Sequence, residues 1–160
     1  MYRHRIRKKD GKRGLPDCKT VIKKNPVNTF FSRYNIEMLK WVKELLVSTI
    51  VLLILDFSYI AINLRAFQDQ VITVQRVVMQ FRPAPAVITY ILMIFALNYF
   101  IIKNNRSIME AFALGLVIIG VYETTNYSMF KKWNPYLVIM DTLWGGILFG
   151  TTTAITYNVL

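Results

Sequence analysis

Long runs of apolar residues separated by short polar turns are the dominant pattern of this sequence. Four such runs extend over about residues 44–64, 86–102, 107–130 and 135–157. A stretch of about 20 apolar residues is long enough to cross the hydrocarbon core of a bilayer as an α-helix. The pattern therefore predicts an all-α integral membrane protein with four transmembrane helices.

Two amphipathic segments flank the first run. Residues 29–43 interleave aromatic and basic side chains, which is typical of a headgroup boundary. Residues 65–84 carry valines at roughly helical spacing and reach Pro83 and Pro85. Because a residue that precedes proline disfavours the helical conformation, we predict a separate interfacial helix that ends there.

Local signals mark the starts of the last two spans. Ser107 is followed three residues later by Glu110, which is the spacing of a capping box. Pro135 is a favourable first residue of a helix, because its missing N–H would have no partner there in any case. We expect helices to begin at these positions.

Basic residues are concentrated at one end of the 160-residue chain. Residues 1–43 contain thirteen Lys or Arg and three acidic residues, whereas the remainder contains seven basic and six acidic residues. Most of the net charge of +11 therefore belongs to a basic N-terminal arm with its amphipathic lead-in, residues 1–43. The four-helix transmembrane domain occupies residues 44–160.

The same charges predict the orientation in the membrane. With the N-terminus inside, fifteen basic residues flank the inner ends of the spans and five flank the outer ends. Loops rich in Lys and Arg stay on the cytoplasmic side. Both termini are therefore predicted to be cytoplasmic.

Ten basic residues of the arm are candidates for binding a partner: Arg3, Arg5, Arg7, Lys8, Lys9, Lys12, Arg13, Lys19, Lys23 and Lys24. Anionic lipid headgroups would attract them by about 1 kcal/mol for each basic residue near the surface. The chain carries no base-reading module, so we do not expect nucleic acid as a partner. A third interpretation is a strap, residues 1–40, that ties the lipid bilayer to a protein layer on its cytoplasmic face.

Three carboxylates interrupt the predicted spans: Asp56, Glu123 and Asp141. A charge at the centre of a span costs about 2.5–3.5 kcal/mol on insertion scales, so such residues usually face the bundle interior. At about 1.5 Å per residue, Asp56 and Glu123 lie about 18 Å and 24 Å from the inner ends of their spans, and Asp141 about 9 Å from an outer end. In a core about 30 Å thick, all three fall in the outer half.

Helical spacing adds polar neighbours to the acids. The predicted intramembrane polar cluster consists of Asp56, Tyr59, Asn63, Tyr122, Glu123, Thr125, Asn126, Asp141 and Trp144. One interpretation is a site for a cation or for protons, or a carboxylate group of a membrane enzyme. The other is that these acids accept hydrogen bonds across the helices and hold the bundle together.

Small residues four positions apart predict close helix packing within the monomer. Ala111 and Gly115 form such a step in the third span, and Gly146 and Gly150 form one in the fourth.

One cysteine, Cys18, allows no intramolecular disulfide and no cysteine-based zinc site. A single histidine, His4, excludes a His-triad zinc site within one chain. We therefore expect no metal, no cofactor and no catalytic residues.

The last two spans carry motifs that resemble those of a known family. These motifs are G-x-Y-E-T-T-N from Gly120 to Asn126, Trp133, and D-T-L-W-G from Asp141 to Gly145, with Leu55-Asp56 and Pro85-Ala86 earlier in the chain. Together they resemble the small predicted membrane proteins called domain of unknown function 2177, over about residues 44–158. The resemblance implies four spans and implies that the three acids belong to the family pattern, but it implies no activity.

Members of that family resemble bacterial and algal proteins, with relatives in large DNA viruses of algae. Glu123 stands where the family more often has Asp, and Tyr59 where it more often has Trp. The basic arm lies outside the family pattern, so we expect it to carry what is particular to this chain.

Two hypotheses of function follow. The first is a structural multi-pass membrane protein whose arm docks the membrane onto a protein layer, such as a minor capsid protein at the inner membrane of a virion. The second is a small ion- or proton-coupled transporter that uses the carboxylate pocket. An enzyme has less support, because no nucleophile–base pair and no phosphate-binding loop is present.

Overall fold

The computed structural model describes residues 26–80 and 82–160, with side chains from residue 33 onward. The described residues form four helices: α1 (Pro26–Gln75), α2 (Pro83–Ala96, continued by a π-helix at Leu97–Ile102), α3 (Ile108–Met129) and α4 (Pro135–Val159). All four are long and apolar enough to cross a membrane. The all-helical, four-span prediction is confirmed for this part of the chain, whereas the ten candidate arm residues lie outside the described residues.

Helix α1 replaces the predicted interfacial helix. Residues 65–75 continue α1 without a break, because the interval 27–82 contains no Gly or Pro and a change of side-chain polarity does not end a helix. The helix ends where Arg76 adopts a left-handed backbone with φ of 56°. The Arg76 N–H still bonds the carbonyl of Ile72 at 2.8 Å. The next residues, 76–80, are not helical.

The other helices begin at local sequence signals. Pro83 starts α2 rather than ending a preceding helix, since proline at the first position loses no hydrogen bond. Ser107 caps α3 by accepting the Glu110 N–H at 3.2 Å. Asn134 caps α4, which begins at Pro135 as predicted.

Helices α3 and α4 approach each other backbone to backbone. A methyl group added at Gly115 would overlap the Gly145 carbonyl oxygen and would lie 2.8 Å from Cβ of Phe149. A methyl group added at Gly145 would lie 2.8 Å from the Gly115 carbonyl oxygen. Glycine at both positions is therefore a condition of this contact.

The four predicted packing residues are all buried. Ala111 and Gly115 are buried on α3, where Gly115 contacts α4, and Gly146 and Gly150 are buried on α4. The closest backbone contact nevertheless uses Gly145, one residue before the predicted step. Gly146 instead faces a phenylalanine ring.

Helix α1 contributes little to the apolar core. The core cluster contains Leu52, Met93, Leu97, Ile101, Ile102, Ala111, Leu148 and Phe149, of which α1 supplies only Leu52. The other buried residues of α1 are polar, namely Glu44, Ser48 and Gln70. Among the described residues, the fully buried side chains of α1 are therefore mostly polar, while half-buried Leu55 also packs against the core.

Candidate functional site

Asp56 connects three helices through hydrogen bonds. Its Oδ2 accepts a bond of 2.8 Å from Tyr90 Oη on α2, and its Oδ1 accepts a bond of 3.1 Å from Trp144 Nε1 on α4. Each carboxylate oxygen thus has one aromatic donor from a different helix. Hydrogen bonding of both oxygens accommodates this carboxylate within a predicted span.

Tyr59 extends the network to a second acid. One turn after Asp56, Tyr59 donates its hydroxyl hydrogen to Oδ1 of Asp141 on α4. The Tyr59 ring stacks on Trp144, with ring centroids 4.3 Å apart and planes 7° apart. We call these five residues, Asp56, Tyr59, Tyr90, Asp141 and Trp144, the carboxylate layer.

The third acid has a partner of its own. Glu123 on α3 is 3% exposed and accepts a hydrogen bond of 2.9 Å from Trp133 Nε1. Trp133 lies in the turn between α3 and α4, so this bond ties the turn to the end of α3. Within the described residues, no hydrogen bond links Glu123 to the carboxylate layer.

Several predicted members of the polar cluster do not join it. Tyr122 is 60% exposed and Thr125 is also exposed, because successive residues of an α-helix point about 100° apart and the two cannot share the buried face of Glu123. Asn126 does share that face, and its Nδ2 is buried without a partner among the described residues. Asn63 instead bonds the backbone of its own helix at 3.0 Å.

The sequence prediction did not include two of the donors, Tyr90 and Trp133. Depth along the spans is a signal for Tyr90: it lies twelve residues before Ile102, and Asp56 lies twelve residues after Glu44. Both are therefore about 18 Å from the same end of the bundle. For Trp133 the signal is its place in the short turn that follows α3.

No cation balances the three acids within the described part of the chain. The ion pairs found there are Lys40–Glu44 at 3.6 Å and Arg106–Glu110 at 3.9 Å, both at the opposite ends of the spans. The same residues contain no group of three or more His, Cys, Asp or Glu side chains that could hold a metal ion. Tyrosine and tryptophan donors therefore provide the polar contacts of the acids.

A polar cleft of about 550 Å³ lies at the same end of the bundle as the carboxylate layer, between the last turns of α1 and the start of α4. Gln70, which is 7% exposed, joins the two sides: its Nε2 donates to the Lys132 carbonyl at 3.4 Å, and its Oε1 accepts the Asn134 N–H at 3.2 Å. Met140 lines the cleft and directly precedes Asp141. None of the five residues of the carboxylate layer lines the cleft itself.

These residues lie in a segment shared with other proteins. The model of a family described as "predicted membrane protein (DUF2177)" matches residues 41–158. The chain belongs to this family. The match includes the carboxylate layer and helices α2–α4 and leaves out residues 1–40, which agrees with the resemblance found in the sequence. No curated protein and no solved structure matches the chain.

Proposed function

We propose that this protein is a structural multi-pass membrane protein whose basic arm docks the membrane onto a protein layer at the cytoplasmic face. The observation that carries the proposal is the segregation of charge: residues 1–43 hold thirteen of the twenty basic residues. The arm also lies almost entirely outside the family match at 41–158. Because the family domain does not include the basic arm, the arm can bind a partner that is specific to this chain.

The carboxylate layer supports a structural use of the membrane domain. Both oxygens of Asp56 and one oxygen of Asp141 accept bonds from other helices. These interhelical hydrogen bonds give the two acids a structural role that requires no transported ion. The basic arm is then the feature that binds a partner. Its positive charge suits an acidic protein surface and the adjacent anionic headgroups.

Orientation decides whether the arm can reach such a layer. The positive-inside rule places both termini on the cytoplasmic side. A protein layer assembled on that face would be within reach of the arm. The form of docking that we propose is a minor capsid role at a virion inner membrane, in keeping with the viral relatives that the family resemblance implies.

Photo-crosslinking tests the docking proposal. A photoreactive residue is placed at Lys8 in the arm or, as the matched control, at Lys131 in the α3–α4 turn of the full-length protein in its native membrane. We expect position 8 to crosslink reproducibly to one soluble acidic protein and position 131 not to do so. Replacing the arm's basic residues by glutamine should abolish the crosslink. Crosslinks to lipid alone, or the same proteins from both positions, would contradict docking.

One observation favours a second candidate, a small proton- or ion-coupled transporter. The three acids have no basic partner among the described residues, and the second oxygen of Asp141 accepts no hydrogen bond from them. The polar cleft between α1 and the start of α4 lies at the same end of the bundle as Asp141. An intramembrane carboxylate with a free oxygen suits proton binding.

Flux measurements in proteoliposomes separate the two candidates. A transporter predicts proton or cation flux above that of empty vesicles, lost in Asp141→Asn and retained in Glu37→Gln, which changes an exposed acid of α1 away from the cleft. Flux equal to that of empty vesicles, with the protein folded, rejects the transporter. Equal loss of flux in both variants also counts against a specific role of Asp141.

A further inference from the structure

An apolar groove of about 420 Å³ lies between α1 and α2 at the end of the spans that is nearest the arm in sequence. Its walls include Leu46 on α1 and Ile91 and Phe95 on α2, which are 57%, 59% and 57% exposed. In a membrane protein, side chains exposed to this extent within the spans face lipid. The groove is therefore open to the bilayer.

The floor of the groove offers no free polar group. Asn98 is 4% exposed; its Nδ2 donates to Ser48 Oγ at 3.0 Å and to the Ile94 carbonyl at 2.9 Å, and its Oδ1 accepts from Ser48 Oγ at 3.1 Å. Thr49 Oγ1 donates to the Leu45 carbonyl at 2.6 Å. An occupant of the groove would thus meet hydrocarbon and satisfied polar groups, which suits an acyl chain.

The π-helix at Leu97–Ile102 brings a cation to the groove. The Lys103 N–H bonds the Asn98 carbonyl at 2.9 Å, which is the five-residue spacing of a π turn. In a regular α-helix, residues five apart point about 140° away from each other. The wider turn lets Asn98 and Lys103 line the same groove, and such turns are frequent at functional sites.

The groove ends in residues suited to the membrane surface. Trp41, Tyr99 and Lys103 line this end, and Trp and Tyr are enriched at the membrane–water interface. The Lys103 ammonium lies 5.5 Å from the Tyr99 ring centroid. Lys103 forms no ion pair within the described residues. Its charge is therefore available at the level of the headgroups.

The length of the groove matches one leaflet. The twelve helical steps from Ile91 to Lys103 cover about 18 Å, whereas half of a hydrocarbon core of about 30 Å is about 15 Å. We propose that the groove binds one anionic phospholipid, with an acyl chain between α1 and α2 and the phosphate at Lys103. The length of the apolar groove matches an acyl chain in one leaflet, and the unpaired Lys103 favours a negatively charged headgroup.

Native mass spectrometry of the full chain tests this site, with phosphatidylglycerol as the probe and phosphatidylcholine as the neutral comparison. We expect one tightly held phosphatidylglycerol per chain. Lys103→Gln should weaken its binding about fivefold, which corresponds to about 1 kcal/mol for one basic residue near the surface. Leu46→Trp should fill the groove and remove most binding of either lipid.

Two variants outside the groove serve as controls. Lys131→Gln removes an exposed lysine from the α3–α4 turn, and Ile139→Trp enlarges a side chain of α4 that is 62% exposed. Neither should change the retained lipid. Equal binding of both lipids to the wild type, no effect of Lys103→Gln, or equal losses in the controls would each overturn the proposal. A second copy of the chain in place of lipid, seen as a dimer that Leu46→Trp dissociates, would overturn it as well.

Discussion

Replacing Asp56 with alanine tests whether the carboxylate layer holds the helices together. The substitution removes the acceptor of two bonds, from Tyr90 at 2.8 Å and from Trp144 at 3.1 Å. Hydrogen bonds between membrane helices contribute about 0.6 kcal/mol on average and about 1.7 kcal/mol at most. We therefore expect Asp56→Ala to lower the free energy of unfolding by about 1–3 kcal/mol.

Asp56→Asn sharpens the test. Asparagine keeps one acceptor oxygen but presents an NH₂ group to one of the two donors, so one bond is lost and the expected decrease is about half as large. The sign also matters. If the acid were a poorly accommodated charge, its neutralisation would remove a desolvation cost and would stabilise the protein, in agreement with an ion- or proton-binding role.

The measurement is equilibrium unfolding in mixed micelles, with Asp69→Ala as the matched control on the same helix. Asp69 is exposed and forms no ion pair within the described residues, so its removal should change the free energy by less than about 0.5 kcal/mol. A double-mutant cycle between Asp56→Ala and Tyr90→Phe should give a coupling of about 0.5 kcal/mol or more. Additive effects, or stabilisation by Asp56→Ala, would refute the structural interpretation.

Two further predictions concern the helix contacts. Gly115→Val should destabilise the protein by about 1–3 kcal/mol or more in the same unfolding assay, because the new side chain would overlap the Gly145 carbonyl, whereas Gly150→Ala, with its nearest neighbour atom at 3.6 Å, should change little. Equal effects of the two substitutions would contradict the close approach of α3 and α4. Gln70→Ala should cost about 1 kcal/mol and increase hydrogen exchange in the α3–α4 turn, where Asn134 loses its acceptor; unchanged exchange would count against that contact.

Much of the fold could be predicted because its signals are local. Span length, the cap at Ser107 and the helix start at Pro135 depend on residues close together in the chain. The prediction of a separate interfacial helix was wrong because no local signal ends α1 in that segment. Residues 65–75 change in polarity but contain no backbone break, and a helix in progress needs a Gly, a Pro or a left-handed residue such as Arg76 to end it.

For the candidate site, the sequence predicts only how far along each span a residue lies. A rise of about 1.5 Å per residue places an acid along its span from sequence alone. The rotation of one helix against another depends on tertiary packing, so the pairing of Glu123 with Trp133 instead of with the other acids could not be derived. The same uncertainty explains why exposed Tyr122 was included and Tyr90 was not.

The physics of helix association in lipid explains why α1 uses polar contacts. Lipid tails are as apolar as leucine, so an apolar face of α1 gains little by facing another helix rather than the bilayer. Hydrogen bonds differ, because lipid tails offer them no partner. The contacts of α1 through Ser48, Leu52, Asp56, Tyr59 and Gln70 fall at intervals of three, four and eleven residues, which keeps them on one helical face.

That polar face fixes the rotation of α1, which its single core leucine could not do alone. Removal of Ser48 should affect the end near Lys103, and removal of Gln70 the end near the cleft, whereas Asp56 lies between them and bonds two helices at once. A loss at the centre therefore removes one bond to α2 and one bond to α4 at once, whereas the Ser48–Asn98 and Tyr59–Asp141 bonds remain. Asp56 is also the acid nearest the middle of the membrane, where a charge is most costly. We therefore expect its replacement to loosen the bundle more than replacement of Glu123 or Asp141.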